Sequence, residues 1–167
     1  MKKRVYIITI HKEPNYGAVL QAFALYKVIE RLGAESYLIN LSMDYRKLPY
    51  TMMNRVLITL KNWIKGYQYC FRKASDFIFR QCPRLIGDFH TVEELNNYPW
   101  PMDAIYLVGS DQVWNPYLEY CTAANFLSFT EREKKVALSP SIAIEQIPEK
   151  DKENFAKWLK DFRLLSV

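Results

Sequence analysis

The chain predicts an α/β domain built on an open, mostly parallel sheet with helices on both faces. Three observations predict it. RVYIITI (4–10) is an apolar, β-branched run, and SYLINL (36–41) is a second one. Between them, AVLQAFALYKVIERLG (18–33) repeats its apolar residues at helical spacing, so strand, helix and strand follow one another within about 40 residues. Such a crossover joins parallel strands. The same succession returns at the end of the chain, where KVALS (135–139), a helix from Pro148 to about Phe162 and a closing LLSV follow in order.

Each element has its own warrant. In the first helix Val19, Ala22, Tyr26 and Ile29 form the stripe, Leu25 and Leu32 widen it, and Gly33 stands where a left-handed cap is expected. Across residues 52–80, Met53, Val56, Leu60, Ile64, Tyr67, Phe71 and Ile78 share one helical arc, and Gly66 divides the stretch into two helices. Thr91-Val-Glu-Glu94 reads as a capping box that opens a short helix, which Pro99 and Pro101 end. AIYLV (104–108) is a buried strand leading to Gly109. The last helix carries acids early and lysines late, as the helix dipole favours. Residues 1–167 are thus expected to be a single domain with a basic helical insertion over about 46–90. The chain closes inside the strand-like run LLSV, as would one domain of a longer protein.

Composition narrows the class. At 167 residues the chain can bury a sizeable core. Twelve Tyr and four Trp suit a core, and also carbohydrate stacking, since each ring has an apolar body and a polar tip. Cys70, Cys82 and Cys121 form no CxxC pair and no metal spacing with His11 and His90, which argues for a reducing compartment and against a disulfide framework or a metal site. The opening MKKRVYIITIHKE has too short an apolar run for a secretory leader, and nothing approaches the ~20 apolar residues of a membrane span. A cytoplasmic location is expected, with the inner membrane face as a peripheral option.

Two polar loops stand out: HKEPNYG (11–17) and VGSDQVWNP (108–116). Each lies just past the carboxyl end of a core strand, the edge at which open parallel sheets bind ligands. Gly17 and Gly109 are placed where the chain turns from strand toward helix. Neither loop is GxGxxG and no GxxxxGK[ST] occurs, so no dinucleotide or other cofactor is expected. Asn15 and Asp111 serve equally well as helix caps or ligand contacts. Trp114 fits a core as readily as a sugar face, and His11 fits the end of the first strand.

HKEPNYGAVLQAFAL together with VGSDQVWNP resembles the polysaccharide pyruvyl transferase family, in which the two motifs occur in this order at about this separation. The likeness covers essentially the whole chain and about the first half of a typical member. It implies one Rossmann-like half of a two-domain, GT-B-like fold. The implied reaction moves the enolpyruvyl unit of phosphoenolpyruvate onto two sugar hydroxyls of a polysaccharide, leaving a cyclic ketal, with the phosphoenolpyruvate grip coming largely from a second domain. The acceptor-side residues implied here are His11, Asn15, Tyr16, Gly17, Gln21, Gly109, Ser110, Gln112, Trp114 and Asn115, with Asp111 as candidate base. The family's Ala-Ser-Phe-Gly-like stretch reads SPSIA (139–143) in this chain, without its glycine. Two other classes stay open: a non-catalytic carbohydrate-binding or scaffold module, and a glycosyltransferase-like domain for a nucleotide sugar.

Charge adds a last expectation. Of a net +5, the window 46–90 holds nine Lys or Arg against Asp76 and Asp88. A solvated helix face accounts for this, and so does contact with an anionic membrane. No nucleic-acid partner is expected, because no binding-fold motif accompanies the charge.

Overall fold

The computed structural model describes residues 2–12, 15–42, 67–118 and 121–166, with side chains omitted for 67–71. Its six strands are β1 (Arg4–Ile8), β2 (Glu35–Leu41), β3 (Leu85–Phe89), β4 (Ile105–Val108), β5 (Lys135–Leu138) and β6 (Leu164–Ser166). They form one sheet in the order β3-β2-β1-β4-β5-β6, and every pairing is parallel. That is the doubly wound order in which the topology reverses between β1 and β4. Among the described residues four α-helices cover it: α1 (Tyr16–Arg31), α2 (Tyr67–Gln81), α3 (Val92–Asn97) and α4 (Glu149–Lys160).

Alternation along the strands sorts the core into two layers. Val5, Ile7, Leu38 and Leu107 point to one face and meet Val19, Ala22, Leu25, Tyr26 and Ile29 of α1 and Ala74 and Ile78 of α2. Tyr6, Ile8, Ile39, Tyr106, Val108 and Ala137 point to the other, against Leu95 of α3 and Phe155 of α4. Both faces are therefore covered, as an all-parallel sheet requires. The second layer takes up most of the aromatic excess. Tyr6 stacks on Tyr37 at 4.8 Å, and Trp114 on Phe126 at 5.1 Å with planes 4° apart.

Local signals act as their chemistry predicts. Thr91 Oγ1 accepts from Glu94 N while Glu94 reaches back to the Thr91 N–H, closing the capping box. Gly33, at φ 86°, ends α1. Leu32 departs from expectation: it caps the helix and is 76% exposed, so it does not widen the buried stripe.

The reading of 46–90 as a helical insertion missed β3, which lies inside that window and forms one sheet edge. Register explains why. β3 spends three steps from Ile86 to Phe89 where β2 spends two from Ile39 to Leu41, and Gly87 at φ 66° absorbs the extra residue. That bulge erases the two-residue period by which a strand is recognised. Within the described part of the window, α2 turns Ala74 and Ile78 inward and leaves Arg72, Lys73 and Arg80 exposed. Met53, Val56, Leu60, Ile64 and Gly66 lie outside the described residues.

Candidate functional site

The pairs Tyr6↔Tyr106 and Ile8↔Val108 make β1 and β4 parallel neighbours, so the two polar loops leave the same end of adjacent strands. A hydrogen bond from Gly109 N to Ile8 O (3.1 Å) ties their roots together. This is the switch point, where the crossovers diverge to opposite faces and open a crevice.

On the first loop, Asn15 is the N-cap of α1. Its side-chain oxygen accepts from Gly17 N at 2.9 Å and Ala18 N at 3.4 Å, and the residue is exposed. Tyr16 begins the helix at 52% exposure, and Gln21 is half-buried one turn on. Gly17 is a helical residue of the first turn rather than a turn glycine, which corrects the expectation that the chain bends there.

His11 is buried, with both ring nitrogens engaged. Nδ1 lies 2.9 Å from Thr9 O and Nε2 3.3 Å from Asn40 Oδ1. Burial pulls its pKa below the ordinary histidine value, against the raising effect of these two contacts. A carbonyl only accepts, so Nδ1 carries the proton and the neutral ring offers a bare Nε2. His11 thus stands as a wall of the site rather than a hand reaching into it.

The second loop is held mainly by backbone. Gly109 has φ 122°, and a Cβ there would lie 2.1 Å from Leu138 O, so only glycine fits. Asp111 has φ 78° and Ser139, after β5, has φ 49°; neither is a glycine. Backbone of this kind is held against its own preference and concentrates at functional sites. The Asp111↔Pro140 bridge, Ser141 N to Asp111 O (2.8 Å) and Trp114 N to Ser141 O (3.2 Å) hold the two loops together. Asp111 Oδ1 accepts from Gln112 N at 2.8 Å. Its other carboxylate oxygen makes no hydrogen bond among the described residues. Ser110 is half-buried and Gln112 exposed on the same rim.

Two expected ligand contacts turn inward. Trp114 is 1% exposed, its indole N–H donates to Asn125 O at 2.8 Å, and Phe126 covers its face, so it is core and has no ring face for a sugar. Asn115 is buried, donates to Gln112 Oε1 at 3.2 Å and accepts from Tyr117 N at 3.0 Å, and so braces the turn.

The structure adds residues that the sequence reading missed. Asn40 ends β2 beside His11, and its Nδ2 donates to Asp88 Oδ1 at 3.0 Å. Lys12 pairs with the same oxygen at 3.1 Å and also donates to Ser42. His90 Nδ1 meets Ser42 O at 2.9 Å. Ser139 and Ser141, exposed beside Asp111, extend the rim along β5. Their common signal is position just past, or at, the carboxyl end of a strand; for Asp88 and His90 it was hidden with β3.

The chemistry open to this rim is narrow. Burial pushes Cys82 up to about 11 and Cys121 up to about 12, so neither supplies a thiolate. Among the described residues no group of three or more His, Cys, Asp or Glu could hold a metal ion, and no helix is long and apolar enough to cross a membrane. What remains is a carboxylate, amides and hydroxyls on a strained, glycine-rooted edge, a set suited to binding hydroxyls.

The sequence profile for polysaccharide pyruvyl transferase matches residues 15–167. The chain belongs to the polysaccharide pyruvyl transferase family. No curated protein and no solved structure matches it significantly. The matched span contains the Asn15 cap and the whole Gly109–Asn115 loop, and begins after His11 and Lys12. Pyruvyl transferases in general pair a saccharide acceptor with phosphoenolpyruvate.

Proposed function

We propose that this chain is the acceptor-side domain of a pyruvyl transferase that moves enolpyruvate from phosphoenolpyruvate onto two hydroxyls of a polysaccharide sugar, forming a ketal and releasing phosphate. The phosphoenolpyruvate grip in this reading belongs to a second, GT-B-like partner domain. One observation carries the proposal: Asp111 sits at the β1/β4 switch point on backbone of positive φ, with one carboxylate oxygen spent on Gln112 N. The other is available to take a proton from an acceptor hydroxyl as that oxygen attacks. Asn15, Tyr16, Gln21, Ser110 and Gln112 line the same edge as hydrogen-bonding neighbours for the sugar.

The test is Asp111→Ala in the full-length protein, assayed with phosphoenolpyruvate and a saccharide acceptor. Loss of a positioned general base costs about 10²–10⁴-fold in turnover, with the circular dichroism spectrum unchanged. Undiminished turnover would remove Asp111 from the mechanism.

The exposed Arg72, Lys73 and Arg80 of α2 also support weak peripheral contact with an anionic cytoplasmic membrane face, where lipid-linked glycans are held. Vesicles containing phosphatidylserine should sediment the protein at low salt and release it as salt screens the charge. Equal sedimentation with neutral vesicles removes this part of the proposal.

A further inference from the structure

A second hollow lies beyond the switch point, on the β2 side of the first loop. Its volume is about 270 Å³, and it opens between α2 and the ends of β1 and β2. Its polar wall is the braced row of His11, Asn40 and Lys12, held by Asp88. Ser75 and Asp76 of α2 face it and make no side-chain hydrogen bond or ion pair among the described residues. The apolar wall is Ile78, Leu85 and Phe79, and Phe79 is 72% exposed.

We propose that this hollow is a second saccharide subsite, which takes the neutral pyranose ring next to the one held at the β1/β4 crevice. The proposal rests on the acceptor reading and goes beyond it by fixing the direction in which the acceptor chain runs, from the crevice across the first loop toward α2. Charge argues for a neutral ligand, because Lys12 is balanced by Asp88 and Asp76 adds a negative charge. Among the described lining residues an anion therefore meets no excess of positive charge. A ring bearing hydroxyls needs donors and acceptors on one side and an aromatic or apolar platform on the other, and this hollow offers both. Adjacent strands lie about 4.8 Å apart, so the crevice and the hollow are one or two strand spacings from each other. One or two linked pyranose rings cover that span.

The experiment is calorimetric titration of the full-length protein with glucose, galactose and mannose and with neutral di- and trisaccharides built from them. The expected result is that the best oligosaccharide binds at least ten-fold tighter than its monosaccharide. In Phe79→Ala that ratio falls to near one, and Phe79→Trp restores it. Phe79 is largely solvent-exposed, so truncating it leaves the core intact, and a thermal melt verifies this. A ratio that Phe79→Ala does not change, the absence of any length dependence, or inorganic phosphate binding at Lys12 more tightly than any sugar would each overturn the inference. Binding of none of the sugars overturns it too. The Asp111→Ala transfer assay judges the crevice separately, so a failed second subsite and a failed acceptor reading give different results.

Discussion

The loops after β1 and β4 rise side by side from one sheet end yet are secured by different means. The β4 loop is fastened through its backbone to the β5 loop and through the Trp114 indole to the core. The β1 loop is fastened through side chains: His11 to Asn40, and Lys12 to Asp88 and Ser42. Backbone ladders and buried rings do not titrate near neutrality and are little affected by salt, whereas a histidine is sensitive to pH and an exposed ion pair is screened by salt. The crevice therefore has one wall whose geometry is indifferent to pH and salt and one whose geometry responds to both. In the proposed reaction Asp111 gains from the first kind of wall, because the reach of a base to a hydroxyl must be kept within tenths of an ångström.

The sharpest way to break this comparison is to remove the anchor of the rigid wall. Trp114→Ala should destabilise the fold by about 3–5 kcal/mol, the usual cost of deleting a fully buried large aromatic. It also leaves Asn125 O without its donor. Denaturant melts check this, and a loss under about 1 kcal/mol would mean that Trp114 does not anchor the loop. The comparison then predicts that transfer falls with the folded fraction, unlike the Asp111→Ala loss, which leaves the fold intact.

The same contrast explains what could be read from the sequence. The parallel sheet, the capping box at Thr91 and the strand LLSV were all legible, because each depends on local periodicity or on residues three apart. The neighbouring positions of the two loops followed from where they sit after their strands. The roles of individual loop residues did not follow. Trp114 and Asn115 look the same in sequence whether they face a ligand or the core, and only the packing of Phe126 and the reach of Gln112 separate the two. β3 was hidden because Gly87 breaks its alternation, and Asp88, the ion-pair partner of Lys12, was hidden with it. Asn40 was passed over as an ordinary strand end, since its meaning depends on His11, 29 residues away in the chain.

A finer test bears on the pH-responsive wall. Burial holds His11 below its ordinary pKa, so the unfolded chain binds a proton there at higher pH than the folded chain does. Protons then favour unfolding: His11's contribution is fully present above the unfolded value of about 6.5 and is lost as pH falls from there toward the folded value. Equilibrium unfolding between pH 7.5 and 5 should show stability declining through this window, ahead of the carboxylate titrations that begin lower. Proton uptake gives the ring a second donor at Nε2, and Asn40 Oδ1, 3.3 Å away, is already placed to accept from it. In His11→Gln the slope across this window should shrink while overall stability drops by about 1–3 kcal/mol, the cost of a poorly satisfied buried polar site. If the slope persists unchanged in that variant, the acid sensitivity lies elsewhere, and the β1 loop is as indifferent to pH as the β4 loop beside it.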